Sequence, residues 1–515
     1  MAQRIGDSAA AAPLGVLFVT PELYPYVKTG GLGDVAAALP PALRGLGVDV
    51  RLLLPGLPAI LDGIEDLQRL GTAPMLPAGD EAAQLLLGRT ESGVPAYVVD
   101  APALFRRPGN PYLGPDGRDW PDNHRRFGLL CRVAAAIGAD GCQPARRPAE
   151  RWRPDVVHGH DWQAGLVPAY LSLLAPRRRP GTLQTIHNLA FQGLFAASTL
   201  AELGLPPACF DMHGVEFWGR VGFLKAGLYF ADAISTVSPS YAREIQTPAD
   251  GAGLDGLLSG RRERLHGILN GIDESVWDPT GDPHVPVPFD AERLDDRAAD
   301  RAQLRTELGL TADSRAPLLA VVSRLTHQKG LDLVLETLPR LVGEGGYLAV
   351  LGTGAAELEQ GFRAAAAAHP GRIAVRIAYD EALSHRMMAG ADAVLIPSRF
   401  EPCGLVQLYA QRYGALPVVT PVGGLKDTVT DISESSLADG SATGFVADEV
   451  SARGVARVIE RALGLWQRPD LWRRVQHSAM AQHFGWAAPA QRYLEIYRSL
   501  VRKRPTGKPA TARST

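Results

Sequence analysis

Short apolar runs alternate with helix-period stretches along most of the chain, and no other feature of the sequence constrains its fold as tightly. Such alternation predicts parallel sheets flanked by helices and argues against all-α and all-β folds. In the first half, strands are predicted at Leu14–Thr20, Val48–Leu54, Ala96–Val99, Val156–His158, Leu183–His187 and Ile234–Val237. Helical patterns fall between several of them, including Asp34 to Leu46, Asn123 to Ile137 and Ala164 to Leu174. From Thr280 to Asp300 the chain turns rich in Pro and Asp and loses periodicity, which predicts a connection between domains. A second series follows, with strands at Leu318–Ser323, Tyr347–Leu351, Ile373–Ile377, Ala393–Ile396 and Pro417–Val419. Its helices are expected at Gly330–Gly343, Ala355–Ala368, Glu381–Ala389 and Leu405–Tyr413. Two doubly wound halves imply a cleft between them, with ligands at the carboxyl ends of strands.

A length of 515 residues exceeds what one core supports, so two to four domains are expected. An apolar share of 46% and a charged share of 21% are ordinary for a water-soluble globular chain. The net charge of −2 supplies no basic field for nucleic acid, and no run is long and apolar enough to span a bilayer. Cys131, Cys142, Cys209 and Cys403 show no C-x-x-C spacing and no disulfide framework, which points to a reducing cytoplasm. Arg4 and the apolar run from Ala9 to Val19 have the look of a short signal peptide, but Gly15 to Val19 reads better as a buried first strand. The basic, Pro- and Thr-rich stretch at 501–515 is expected to be a disordered tail.

The motifs sit just beyond the predicted strands. Lys28-Thr29-Gly30-Gly31-Leu32-Gly33-Asp34-Val35 lies between the first strand and a helix, where bare backbone N–H groups and the helix dipole favour an anion and Lys28 adds a full charge. Gly31 to Ala36 also fits the G-x-G-x-x-A dinucleotide fingerprint, which needs its glycine turn directly after the strand and an acid ending the next strand. Here about ten residues intervene and the next strand ends in Pro55, so hydride chemistry is disfavoured. The loop is read as a site for an anion or a sugar.

Ser323-Arg324-Leu325-Thr326-His327-Gln328-Lys329-Gly330 follows the first strand of the second half, and two cations there can clamp a diphosphate. Arg399-Phe400-Glu401-Pro402-Cys403-Gly404-Leu405 also precedes a helix, so the Gly404 and Leu405 amides would face an anion and Glu401 would accept from sugar hydroxyls. Cys403 reads as a packing thiol within that contact segment. His158-Gly159-His160-Asp161-Trp162 resembles the opening of an H-x-H-x-D-H metal motif, but Trp162 and Gln163 stand where Asp and His are needed. No metal is expected, and Asp161 is read as lining the cleft. His187-Asn188-Leu189-Ala190-Phe191-Gln192-Gly193 ends another strand, where its polar groups could reach a sugar ring. Phosphate-binding groups in one half and polar and aromatic residues in the other suit transfer of a sugar from a nucleotide diphosphate, whose departure fixed cations and amides assist.

With Leu269-Asn270-Gly271-Ile272-Asp273 added, these ordered motifs span about Leu14 to Leu500, and the chain resembles bacterial glycogen synthases and plant starch synthases. The resemblance implies a GT-B fold of two Rossmann-like domains, here 1–275 and 276–488, with an interdomain cleft and a C-terminal helix at 489–500 that returns to the first domain. It implies ADP-glucose as donor, glycogen or another α-1,4-glucan as acceptor, no cofactor, and retention at the anomeric carbon. It also implies that Glu401, His187, Arg324 and Lys329 serve catalysis. Lys28, Gly30, Gly31, Asp34, Asp161, Asn188, Asn270, Tyr379, Cys403, Gly404 and Leu405 would bind substrate, with Tyr379 stacked on adenine. Val406 departs from the polar residue frequent in the family at that position and leaves the phosphate to backbone amides. Double displacement would need a carboxylate on the opposite face of the sugar; the sequence assigns none, and the family favours same-face substitution. A UDP-glucose enzyme, a different acceptor, and a non-catalytic glucan-binding protein are the alternatives.

Overall fold

Gly15–Val19, a five-residue strand buried at every position, is the centre of the first sheet. The computed structural model describes residues 13–77, 83–141, 152–173, 179–312 and 316–502, so the leader-like stretch before Pro13, Cys142 and the tail beyond Arg502 lie outside the described residues. The chain divides into two compact units, one formed by Met1–Ser235, Ile245–His266 and Ala487–Thr515, the other by Thr236–Glu244 and Gly267–Trp486.

In the first unit the sheet runs in the order Leu265–Gly267, Ala233–Thr236, Gly181–Ile186, Val156–His160, Gly15–Val19, Asp49–Pro55, Pro95–Asp100, Gln84–Arg89 and Glu65–Thr72. The strands from Gly181–Ile186 to Pro95–Asp100 are parallel neighbours, and the last two add an antiparallel hairpin. With that hairpin and the short first-named strand set aside, the order is third, second, first, fourth, fifth, sixth, the doubly wound arrangement whose switch point lies between Gly15–Val19 and Val156–His160. The hairpin escapes sequence reading because Glu65–Thr72 has no fully buried position, leaving no apolar run to detect. A separate small sheet of Leu194–Ala196, Arg220–Gly222 and Glu216–Phe217 is too short to show a period.

The C-terminal helix, Ala487–Arg502, packs on Gly181–Ile186 and on the helix Gly31–Gly45 of the same unit. Its buried face is Ala490, Tyr493, Leu494, Ile496, Tyr497 and Leu500, a helical spacing, and Gly181 admits it because a Cβ there would lie 2.9 Å from the Leu500 Cβ. The helix continues through Arg502, so the first two residues assigned to the tail are helical.

The second unit holds a six-stranded parallel sheet in the order Ile373–Arg376, Tyr347–Leu351, Leu318–Val322, Ala393–Ile396, Leu416–Val419 and Phe445–Val446. This again is third, second, first, fourth, fifth, sixth, with the switch point between Leu318–Val322 and Ala393–Ile396. Thr280 to Asp300 does not connect domains: it belongs to this unit's core. Phe289 is fully buried there, worth about 1.5–3 kcal/mol. Asp282 accepts from His385 Nδ1 at 2.6 Å and from the Tyr413 hydroxyl at 2.5 Å. Trp277 stacks on His385 and Tyr409 with centroids 3.8 and 3.7 Å apart. The missing periodicity reflects loop backbone held by side chains, in which apolar residues are buried without a repeat. The single boundary expected at 275 also differs from the observed division, because Thr236–Glu244 joins the second unit. There the Asp427 carboxylate accepts from the Ser240 N–H and hydroxyl at 2.7 and 2.6 Å, and Gly423 N–H donates to Glu244.

Candidate active site

At the switch point of the second unit the two neighbouring strands end in Ser323-Arg324 and in Pro397-Ser398, which brings the two basic and acidic motifs together. Lys329, closing the turn His327–Lys329, forms an ion pair with Glu401, and the Ser398 hydroxyl donates to the same carboxylate oxygen at 2.9 Å. Arg399 N–H donates to the Gln328 carbonyl at 2.8 Å, so the loops are joined by backbone as well. Of the three cations, Arg399 is committed to structure through a two-pronged pair with Asp332 at 2.7 and 2.6 Å. Arg324 is exposed, and among the described residues no ion pair holds its guanidinium.

Asn270 is buried in this unit, and its Oδ1 has no hydrogen-bond partner among the described residues. A buried amide oxygen is ordinarily satisfied, so this one suits a ligand contact. The Cys403 thiol is buried and desolvation pushes it up to about 12, which makes it a packing group. Gln407, which the sequence reading missed, donates from Nε2 to the Cys403 and Gly404 carbonyls at 3.0 and 2.9 Å and so fixes the turn before the helix Val406–Arg412. Gly404 has φ 74°, and Leu405 occupies the N-cap of that helix with no side-chain cap. Tyr379 follows the edge strand Ile373–Arg376, its side chain largely exposed and its hydroxyl donating to Glu381 at 2.6 Å.

In the first unit the switch point carries the glycine loop on one side and Asp161 on the other. Lys28 pairs with Asp34 at 2.9 Å, and Gly30 caps the helix Gly31–Gly45 with no side-chain hydrogen bond to its amides. A Cβ at Gly30 would meet no atom within 4 Å and its φ of −163° is open to any residue, so the fold itself does not require glycine there.

Asp161 has φ 54° and ψ −168°, a conformation close to glycine's alone that costs about 1–3 kcal/mol. Its surroundings enforce it. Asp161 N–H donates to the Thr185 carbonyl at 2.9 Å, and its own carbonyl accepts from Gln184 Nε2 at 2.9 Å. Its carboxylate accepts from the N–H groups of His187 and Asn188 at 2.7 and 3.3 Å. The two histidine motifs are therefore one construction. His187 Nε2 lies 2.9 Å from His160 Nδ1, while His158 bonds the Tyr497 hydroxyl at 2.8 Å. The Asn188 side chain is partly used in its own turn, accepting from Ala190 N–H at 3.0 Å. Among the described residues no three His, Cys, Asp or Glu side chains are grouped to hold a metal ion.

Burial drives His187 down to about 3 and His158 and His160 well below their ordinary value, so all three imidazoles are neutral in the fold. Burial also pushes Asp161 up to about 7, against the pull of its two amide hydrogen bonds. These shifts oppose each other in stability. Below 6.5 the unfolded histidines take protons that the folded ones refuse, so each contributes stability that is lost as pH falls from 6.5 toward its folded value. Asp161 retains a proton in the fold between 3.8 and about 7, so its contribution is lost as pH rises through that window. Three histidines outweigh one carboxyl, and the denaturation midpoint is expected to fall between about pH 6.5 and pH 5. His187→Asn should reduce that difference; an unchanged difference would mean that His187 is protonated in the fold.

Two units of this strand order, each with charged and polar groups beyond its switch point, are doubly wound Rossmann-like domains, and the likeness to known proteins makes their class a GT-B glycosyltransferase. Residues 15–260 match the family model described as starch synthase catalytic domain, and residues 308–474 match that described as glycosyl transferases group 1. A glycogen synthase of Methylocella silvestris is 51% identical over 491 residues, covering 95% of this chain and 99% of that protein. One of Serratia proteamaculans is 50% identical, covering 94% and 99%. Among solved structures, the catalytic domain of starch synthase IV from Arabidopsis thaliana, bound to ADP and acarbose, superposes with a TM-score of 0.86 at 31% identity, covering 95% of this chain and all of that one. The chain belongs to the glycogen and starch synthase family.

Proposed function

We propose that this protein transfers glucose from ADP-glucose to the non-reducing end of an α-1,4-glucan with retention at the anomeric carbon. The observation that carries the reading is the Lys329–Glu401–Ser398 group at the second unit's switch point, beside the exposed Arg324. Departure of the diphosphate leaves extra negative charge on phosphate and positive charge on the sugar. Arg324 and Lys329 stabilise the first; Glu401 holds sugar hydroxyls and tempers the second. An arriving diphosphate would compete with Glu401 for Lys329 and release the carboxylate toward the sugar. On the first unit, Lys28 and the amides at Gly30 and Gly31 would meet the glucosyl phosphate, with Asp34 holding Lys28, while Asp161 and His187 face the glucose. Asn270 and the turn at Gly404 and Leu405 would complete the donor contacts, and the exposed ring of Tyr379 would stack on adenine. The ADP and acarbose held by the Arabidopsis relative support an adenine nucleotide donor and a glucan acceptor for this chain. The buried free thiols of Cys131, Cys209 and Cys403 suit a reducing cytoplasm.

Because two side-chain cations supply the positive charge, no metal is required, and chelation with EDTA should leave the rate unchanged. Donor competition tests the nucleotide. With glycogen as acceptor, kcat/KM for ADP-glucose is expected to exceed that for UDP-glucose by about tenfold or more, the discrimination one well-placed recognition contact supplies. Equal use of the two donors, or preference for UDP-glucose, would overturn the assignment.

A further inference from the structure

We infer that Glu22 is a positioning residue that sets the glycine loop relative to Asp161; the inference rests on the reading that this loop meets the donor. Glu22 lies just past the first strand and is only 3% exposed. Burying a carboxylate is unfavourable unless hydrogen bonds satisfy it, and an apolar side chain of similar volume would serve fold stability as well. Its placement therefore calls for a role in geometry.

The Glu22 carboxylate gathers its donors from two separate loops. Thr29 gives both its backbone N–H, at 2.7 Å to Oε2, and its hydroxyl, at 2.6 Å to Oε1. The Tyr112 hydroxyl, ninety residues away in sequence, donates to Oε1 at 2.5 Å. Holding Thr29 by both groups fixes the residue between Lys28 and Gly30, and with it the orientation of the amides that open the helix. Glu22 is itself pinned: the Thr20 hydroxyl donates to its carbonyl at 3.0 Å, and Leu23 and Val27 exchange backbone hydrogen bonds of 3.0 and 2.9 Å.

Tyr112 carries the connection further. Its ring lies 6.4 Å, centroid to centroid, from that of Trp162, the residue after Asp161, and 5.9 Å from Phe127. One buried carboxylate thus joins the glycine loop, through Tyr112, to the loop whose strained Asp161 carries the second half of the motif set. A shift of Glu22 would move the loop amides against Asp161.

The test uses the full-length protein with Glu22→Gln, Thr29→Val, Thr29→Ser and Lys28→Ala. In Glu22→Gln an amide N–H₂ faces one of the donors, and in Thr29→Val the hydroxyl is lost at near-constant volume. Both are expected to raise KM for ADP-glucose about tenfold, as loss of a charge-assisted hydrogen bond predicts, while KM for glycogen stays within about twofold. Thr29→Ser should restore KM for ADP-glucose. Should Glu22→Gln fail to fold, the Thr29→Val and Thr29→Ser pair decides. A purely structural role would lower the melting temperature and leave KM unmoved, which would overturn the inference. If Lys28→Ala raises KM while the Glu22 and Thr29 variants do not, the loop reading stands and the positioning role fails. If Lys28→Ala leaves KM unchanged, the loop reading fails and the inference falls with it.

Discussion

Lys329→Ala is expected to lower kcat by about 10² or more, the loss seen when one preorganised donor to a charged transition state is removed. The same substitution has a second consequence. Glu401 is 5% exposed and would keep only Ser398 as its described side-chain partner, so the variant should also melt earlier, by the penalty for an unpaired buried charge. Activity is therefore measured well below the melting transition. Arg324→Ala separates the two effects. Arg324 is exposed and, among the described residues, carries no ion pair, so its loss should lower kcat comparably while leaving stability near that of the parent. Lys329→Arg should not rescue, because a planar guanidinium cannot take the place of a compact ammonium beside Glu401. Near-normal turnover in both alanine variants would remove these residues from the diphosphate clamp and with it the electrostatic account.

Gly330→Ala is expected to destabilise the protein by about 3 kcal/mol or more, and Gly30→Ala hardly at all. Gly330 has φ 66°, and a Cβ there would lie 1.9 Å from the Pro397 carbonyl oxygen. The left-handed backbone alone costs an ordinary residue roughly 1–2 kcal/mol. The clash adds to that, because the backbone on both sides of the switch point would have to separate. Differential scanning calorimetry should show the transition of the Gly330 variant lowered by roughly 6–12 °C, given the usual dependence of melting temperature on stability for a unit of this size. Gly30 presents the reverse case. Its added Cβ meets open space, so its melting temperature should match the parent, and any effect should fall on KM for ADP-glucose. Equal melting temperatures for the two variants would contradict this division between a glycine of the fold and a glycine of the site.

The doubly wound character of both units was legible because their central strands are buried on both faces. Tyr347–Leu351 and Ala393–Ile396 are found where their apolar runs predict them. Half-exposed strands leave no such trace, which is why Glu65–Thr72 and Gln84–Arg89 were invisible. Thr280 to Asp300 misled for the opposite reason: Pro and Asp suggest a linker, yet here Asp282 and Asp300 accept hydrogen bonds that hold irregular backbone inside a core. Within the candidate site, Lys329, Glu401 and Asp161 stand just beyond strand ends, where position alone marks them as candidates. Glu22 and Tyr112 could not, because their significance lies in a hydrogen bond between residues ninety positions apart. Gln407 was hidden in the same way, as a helix residue whose side chain turns back to bind the carbonyls before it.

The central claim is glucosyl transfer from ADP-glucose to an α-1,4-glucan, and the most direct measurement follows both products of one reaction. Purified protein is mixed with ADP-[¹⁴C]glucose and glycogen, ADP release is recorded, and the labelled glucan is then digested with an exo-acting enzyme specific for α-1,4 ends. The account predicts ADP and incorporated label in equal amounts, with the label released early in digestion. No ADP release, while a control synthase is active under the same conditions, would contradict it, as would label that resists the α-1,4-specific enzyme.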